Sequence, residues 1–245
     1  LTHAMVFKYA SDNRNSGYQV VKEKFQKFTD SLSLYAEGNV QFGVIFRNIS
    51  NPWIHPDSDL EKEIFKQKPL NFLKKDLNKF KTIYNAFKKV DFTKAENDFL
   101  KIAIRRFSSA LSRTDEVDKL VDLMISIESL YVTGSGEITM KLSNRLSTLL
   151  AKSGTQREDY WLFTKKVYSL RSGIVHGEGL RDTEINGQKY TLEQLLEKLT
   201  VLTRNSIQNY LVLVNHYTGI KKTEKIAKDI DSALINQEKL KLLKS

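Results

Sequence analysis

The sequence predicts a mainly α protein, a helical bundle preceded by a smaller N-terminal region with a few β-strands. Three observations support this. Three Pro and eleven Gly in 245 residues are too few for the turn density of a sandwich or barrel. Helix-start patterns recur along the chain, and the apolar residues that follow them repeat at helical spacing. With 40% hydrophobic and 28% charged residues the composition is that of a globular protein long enough to bury a core. The absence of Cys excludes disulfides, thiolate metal sites and a Cys nucleophile, and fits a reducing compartment. No apolar run approaches the ~18 residues that span a bilayer. Leu1-Thr-His-Ala-Met-Val-Phe lacks the charged start of a signal peptide. The expected location is therefore the cytoplasm, with no membrane partner.

The elements follow in order. Val40-Gln-Phe-Gly-Val-Ile-Phe-Arg47 is β-branched and aromatic and reads as a strand, with Tyr18 to Val21 as a weak partner. Asn51-Pro-Trp-Ile-His-Pro56 is a turn-rich connector into Lys-rich helices at about Asp59 to Val90. Capping-box patterns at Ser58/Glu61, Thr93/Glu96, Thr155/Glu158 and Thr191/Gln194 each predict a helix start, because hydroxyl and carboxylate or amide satisfy orphan backbone donors. Thr114-Asp115-Glu116 opens another helix, with Leu120, Leu123, Met124, Ile127 and Leu130 on one face and Gly134-Ser-Gly136 as its end. Ile138 to Lys152 carries the stripe Leu142, Leu146, Leu149, Leu150 and closes at Ser153-Gly154. The helix from Glu158 passes through Trp161, Leu162, Val167 and Leu170 into Arg171. Glu178 to Lys189 reads as a polar loop with a turn at Asn186-Gly187. A long, broadly apolar helix from Leu192 to Gly219 reads as the central element of the bundle. A last amphipathic helix, Lys222 to Leu243, presents Ile226, Ile230, Leu234 and Ile235 for docking or dimerisation. These elements divide the chain into an N-terminal region 1–92, a helical bundle 93–220 and a C-terminal helix 221–245.

The net charge of +10 favours a polyanionic partner, and nucleic acid leads. Lys62 to Lys89 holds nine Lys against Glu63 and Asp76, so this stretch carries 9 − 2 = +7. Its bland reading is a solvated helix face. Phe80, Tyr84 and Phe87 on the same stretch read as core packing rather than as a base-stacking platform.

The candidate functional residues lie in Tyr168-Ser-Leu-Arg171-Ser172-Gly173-Ile-Val-His176-Gly177-Glu-Gly179, where an apolar helix is stopped by glycines. Arg171 is a permanent cation, and His176, one of four His, belongs to the side-chain type that titrates near neutrality. That pairing suits phosphodiester chemistry. The spacing is single in the chain, since His55 lies eight residues past Arg47 and His216 twelve past Arg204. His3, His55 and His216 have no carboxylates at ligand spacing, so no metal site is expected, and no phosphate- or dinucleotide-binding Gly motif calls for a cofactor.

Over roughly Thr93 to Tyr217 the chain resembles the Apea-like HEPN domains of the HEPN superfamily. Leu-Arg171-Ser-Gly-Ile-Val-His176-Gly is similar to that family's R-x4-6-H motif, and Ile125-Ser-Ile-Glu128-Ser-Leu-Tyr131 and Leu142-Ser-Asn-Arg145-Leu are similar to its two preceding helices. The resemblance implies an all-α, often dimeric bundle that cleaves RNA without metal, in a toxin or antiviral defence setting. The alternative it leaves open is a non-catalytic HEPN module that binds RNA or a protein partner.

Residue chemistry is compatible with cleavage. When a 2′-hydroxyl attacks the adjacent phosphate, a proton must be moved near neutral pH and a fixed cation must meet the phosphorane charge; His176 and Arg171 fit these roles. One His does not serve as base and acid in the same step, so a homodimer with facing motifs is expected. Residues five apart on a regular helix point about 140° apart, which also separates Arg171 from His176. Either the helix unwinds at Gly173 and Gly177, the Arg arm reaches round, or each residue meets a partner copy. Ile174 and Val175 are expected to anchor this turn in the core. Ser172, Glu128 and Arg145 are candidate supporting residues, with local capping or a bundle salt bridge as their bland readings. Lys165, Lys166 and Arg181 are candidate contacts to RNA phosphates.

Overall fold

The computed structural model describes residues 14–35, 74–179, 183–219 and 221–244. The expected strand at Val40 to Arg47, the Ser58 capping box and the Lys-rich stretch before residue 74 lie outside them. Among the described residues the chain is mainly α, with one two-stranded sheet. No helix among them is long and apolar enough to cross a membrane.

Helix α1 (Arg14–Tyr35) takes in Tyr18 to Val21, so the weak strand expected there is helical instead. The β-branched Val20 and Val21 sit in a 22-residue helix; local strand propensity is a small term that a long helix overrides. Helix α2 (Leu77–Lys89) buries Phe80, Ile83 and Phe87. Phe28 of α1 meets Phe80 and Tyr84 edge-on, at centroid distances of 5.4 and 6.1 Å. The aromatic stripe is core packing, as its spacing predicts.

The Thr93 box does not form. Asp91 accepts from the N–H and the hydroxyl of Thr93 (3.0 and 2.6 Å), and α3 (Asp98–Ser112) begins five residues later. A carboxylate two residues upstream competes successfully for the hydroxyl. Helix α4 (Glu116–Tyr131) starts on Asp115, whose side chain accepts from the N–H of Asp118, and its apolar face is fully buried as expected. α3 and α4 form a hairpin stapled by buried Asp122, which takes Arg106 and Arg113 at 2.9 Å each.

Helix α5 (Ile138–Leu150) pairs with α6 (Gly154–Val175) in a second hairpin. α6 starts earlier than the Thr155 pattern indicates. Ser153 accepts from the N–H of Gln156 at 3.2 Å, and the Gln156 amide oxygen accepts from the Lys152 N–H at 2.7 Å. The N-cap is therefore Ser153, two residues upstream of the expected Thr155, and Gln156 reaches back to Lys152 rather than to the N-cap N–H of a closed box.

The segment read as a polar loop contains a β-hairpin. β1 (Thr183–Ile185) pairs antiparallel with β2 (Gln188–Tyr190), with Ile185 opposite Gln188. Asn186 and Gly187 both take positive φ (50° and 74°), the requirement of a tight primed turn. Ile185 and Tyr190 are buried, and Tyr190 meets Phe163 of α6 at 5.9 Å. Three-residue strands are too short to show in a polarity pattern. A Cβ at position 187 meets no atom within 4 Å, so Gly187→Ala changes conformational strain alone. It is expected to cost about 1 kcal/mol and lower the melting temperature by a few degrees, as thermal unfolding will show.

Helix α7 (Leu192–Leu213) opens with the full Thr191/Gln194 capping box and packs against α1, α2, α3, α4 and α5 as the central helix. Buried Tyr131 donates to Ser206 at 3.0 Å and meets Tyr210 edge-on, joining α4 to α7. The expected single C-terminal helix is two, α8 (Lys222–Ala233) and α9 (Gln237–Lys244). Asn236 breaks it, its side-chain oxygen accepting from the N–H groups of Glu238 and Lys239. Ile226 and Ile230 dock in the core, whereas Ile235, expected on the same stripe, is 93% exposed in the connection between α8 and α9.

Asp30 ties α1 to α3. Its carboxylate accepts from Gln26 (2.9 Å) and Ser108 (3.2 Å), and burial pushes its pKa up to about 6. A carboxyl whose folded pKa is raised stabilises the fold at low pH, and this contribution is lost as pH rises through about 6. Asp30→Asn keeps an acceptor for both donors without the charge. It is expected to stabilise the protein at neutral pH by on the order of 2 kcal/mol and to flatten the pH dependence between about 4 and 6, measured by urea denaturation across pH.

Candidate active site at the end of helix α6

The last two turns of α6 carry Arg171, Ser172 and His176. The helix is regular through Val175 and ends on His176 (φ −92°, ψ 11°). Gly177 follows at φ +89°, its N–H donating to Ile174 O at 2.9 Å, while the N–H of Glu178 donates to Gly173 O at 2.9 Å. These two bonds are a Schellman closure. Gly177 is thus the stop that the sequence indicated, but Gly173 stays helical. A Cβ at Gly173 would lie 2.6 Å from the Glu178 carboxylate, so glycine there leaves room for that side chain to fold back on the helix.

Because the helix does not unwind before His176, the roughly 140° between the two directions persists. Arg171 faces the bundle. Its Nε lies 3.9 Å from Oε1 of Glu128 on α4, with the two side chains 25% and 22% exposed. Both atoms are buried and neither has a hydrogen-bond partner. The pair is therefore an electrostatic contact just beyond hydrogen-bond range. Burial pushes the Glu128 carboxyl above its ordinary value, and the Arg171 charge opposes that rise. His176 is exposed at the helix terminus. Val175, expected in the core, is 59% exposed, because the turn that releases His176 also carries Val175 out to solvent; Ile174 packs against the core as expected.

Arg145 does not join this pair. It is buried on α5, and its Nε and Nη2 donate to the two Asp231 oxygens of α8, each at 2.8 Å. Its Nη1 donates to Tyr131 O at the end of α4 and to Thr133 Oγ1. Its contacts are those of a clamp joining α4, α5 and α8. Ser172 is half-buried, and its carbonyl accepts from the His176 N–H at 3.2 Å. Lys165 and Lys166 are exposed on α6, with Lys165 Nζ 5.0 Å from the centre of the Trp161 ring. Arg181 lies outside the described residues.

Glu178 was missed by the sequence reading. Its signal was only its place next to Gly177, and the fold-back onto Gly173 follows from the Schellman geometry. No group of three or more His, Asp or Glu arranged to hold a metal occurs among the described residues. The arrangement offers a cation held against a half-buried carboxylate and, on another side of the same helix end, an exposed imidazole. In comparisons with known proteins, no family model, no curated protein and no solved structure matches the chain.

Proposed function

We propose that the protein is a metal-independent endoribonuclease of the HEPN type, cleaving RNA by attack of the 2′-hydroxyl on the adjacent phosphate, in a toxin or antiviral defence role in the cytoplasm. The observation that supports this best is the division of labour at the end of α6, where Arg171 is steadied by Glu128 and His176 is presented to solvent. A guanidinium backed by a carboxylate keeps its charge and direction while its other N–H groups turn to a phosphate. An exposed imidazole on a fixed helix end reaches the 2′-hydroxyl or the leaving 5′-oxygen. Lys165 and Lys166, exposed on α6, add positive charge for the flanking phosphates, Arg181 is a further candidate contact from the sequence, and Ser172 lies between the two principal residues.

The active form in this reading is a homodimer with facing motifs. Arg171 and His176 of one chain diverge, so a second copy supplies the complementary pair and the second proton-transfer group. Val175, an exposed apolar side chain beside His176, fits burial in such an interface. The same divergence favours the second reading, a non-catalytic HEPN module whose motif serves only an interface. Incubation of RNA with wild type, Arg171→Ala and His176→Ala in EDTA separates the two: cutting that needs both residues supports the enzyme, and salt-sensitive binding without cutting by any of the three supports the module.

A further inference from the structure

The α2/α7 boundary carries two separate cavities, on elements other than those that carry the Arg171 motif. The first is a cavity of about 330 Å³ between Lys79, Thr82 and Ala86 of α2 and Gln208, Asn209 and Val212 of α7, floored by Ile83 and Leu211. The second is a polar cavity of about 150 Å³ whose lining includes Lys89, Lys94, Asn215 and Tyr217, together with the carboxylates of Asp91 and Glu96. Lys79, Thr82, Ala86 and Lys89 are spaced three, four and three residues apart, so they form one stripe on α2 facing this boundary. Lys75 lies one turn before Lys79. Lys75, Lys79, Lys89 and Lys94 are all exposed.

Of the carboxylates nearby only Glu96 is paired with a cation; the neutral donors on Asp76 and Asp91 leave their charges in place, so the four lysines and these two acids sum to 4 − 2 = +2. Asp76 takes a hydrogen bond from Tyr35, Asp91 accepts from Thr93, and Glu96 is held by buried Lys222 at 3.1 Å. Lys79 and Lys89 stand about 15 Å apart along α2, with Lys75 just before the helix and Lys94 just after it, beside an apolar floor and the side-chain amides of α7. Single-stranded nucleic acid has that chemistry: a phosphate per nucleotide for the lysines, and base faces that pack on an apolar floor.

We infer that the α2/α7 boundary is a docking track for single-stranded RNA, with Lys75, Lys79, Lys89 and Lys94 along its phosphates and the exposed Val212 side chain beneath its bases. The inference rests on the reading that RNA is the substrate. It adds a binding surface separate from the reacting centre, one that sets affinity for long RNA while leaving the cleavage step to Arg171 and His176.

Helix α2 supplies its own control. Lys81 and Lys88 are also exposed, but lie seven residues apart on the other flank, where Lys88 sits 5.7 Å from the Tyr84 ring. The test is fluorescence anisotropy of a labelled single-stranded uridine oligonucleotide over a salt series, using the full chain. Lys75→Gln/Lys79→Gln/Lys89→Gln is expected to weaken binding about tenfold or more and to reduce the log–log salt slope by about 2, at ~0.7 per lost phosphate contact. Lys81→Gln/Lys88→Gln is expected to change binding less than twofold. Wild-type affinity in the triple variant, or equal weakening in the control, overturns the track. His176→Ala removes no track residue and is expected to bind as wild type. Track-dependent binding without His176-dependent cleavage would therefore sink the proposed function alone, and cleavage without track-dependent binding would sink the track alone.

Discussion

Arg171→Ala and His176→Ala are each expected to lower RNA cleavage by about 10²–10⁴-fold while leaving the fold intact, the range typical of a lost general acid–base or a lost electrostatic stabiliser. The two should differ in their side effects. His176 is exposed at the helix end and its main-chain bonds do not depend on its side chain, so its removal should leave stability within about 0.5 kcal/mol of wild type. Arg171→Ala strips Glu128 of its opposing charge. The half-buried carboxyl then rises further above its ordinary value and costs some stability at neutral pH. Circular dichroism melts alongside the cleavage rates will separate the chemical loss from this structural one.

The largest stability effect is expected at Asp231→Ala. Arg145 is only 6% exposed in its side chain, and Asp231 supplies both oxygens that meet its Nε and Nη2. Removing the carboxylate leaves a buried guanidinium with two donors stranded, at a cost of about 3 kcal/mol; this is the low end for a broken buried pair, because Asp231 itself is nearly half exposed. For a domain of this size the melting temperature should fall by roughly 6–12 °C. The loss should appear in thermal and urea unfolding, and the folded fraction should retain its RNA affinity, since Arg145 contacts α4, α5 and α8 rather than the Arg171 pair.

The helical core was legible in the sequence because long amphipathic segments announce themselves. Leu120, Leu123, Met124, Ile127 and Leu130 of α4 and Leu142, Leu146 and Leu149 of α5 are buried where their spacing places them. Caps were less legible, because hydroxyls and carboxylates compete locally: Asp91 takes Thr93, and Ser153 pre-empts Thr155. The β1/β2 hairpin was visible only as its Asn186-Gly187 turn, since two three-residue strands carry too few side chains to alternate. At the candidate site the helix stop at Gly177 was readable, but its consequence for Val175 was not. Which flank of a helix end faces solvent depends on α4 and α5, which are distant in sequence from the motif. The Glu128 contact to Arg171 and the Asp231 contact to Arg145 are long-range choices of the same kind. Both Glu128 and Arg145 stood out as charged residues on neighbouring helices, and only the packing assigns them different partners.

The most direct measurement is the chemistry of the cut ends. Purified protein and its His176→Ala variant should be incubated with end-labelled RNA in EDTA, and the products resolved against 2′,3′-cyclic phosphate and 3′-hydroxyl standards. Wild type is expected to yield 2′,3′-cyclic phosphate and 5′-hydroxyl ends, and His176→Ala to yield none above background. Equal cutting by the two proteins, 3′-hydroxyl products, or no cutting by wild type would contradict the account.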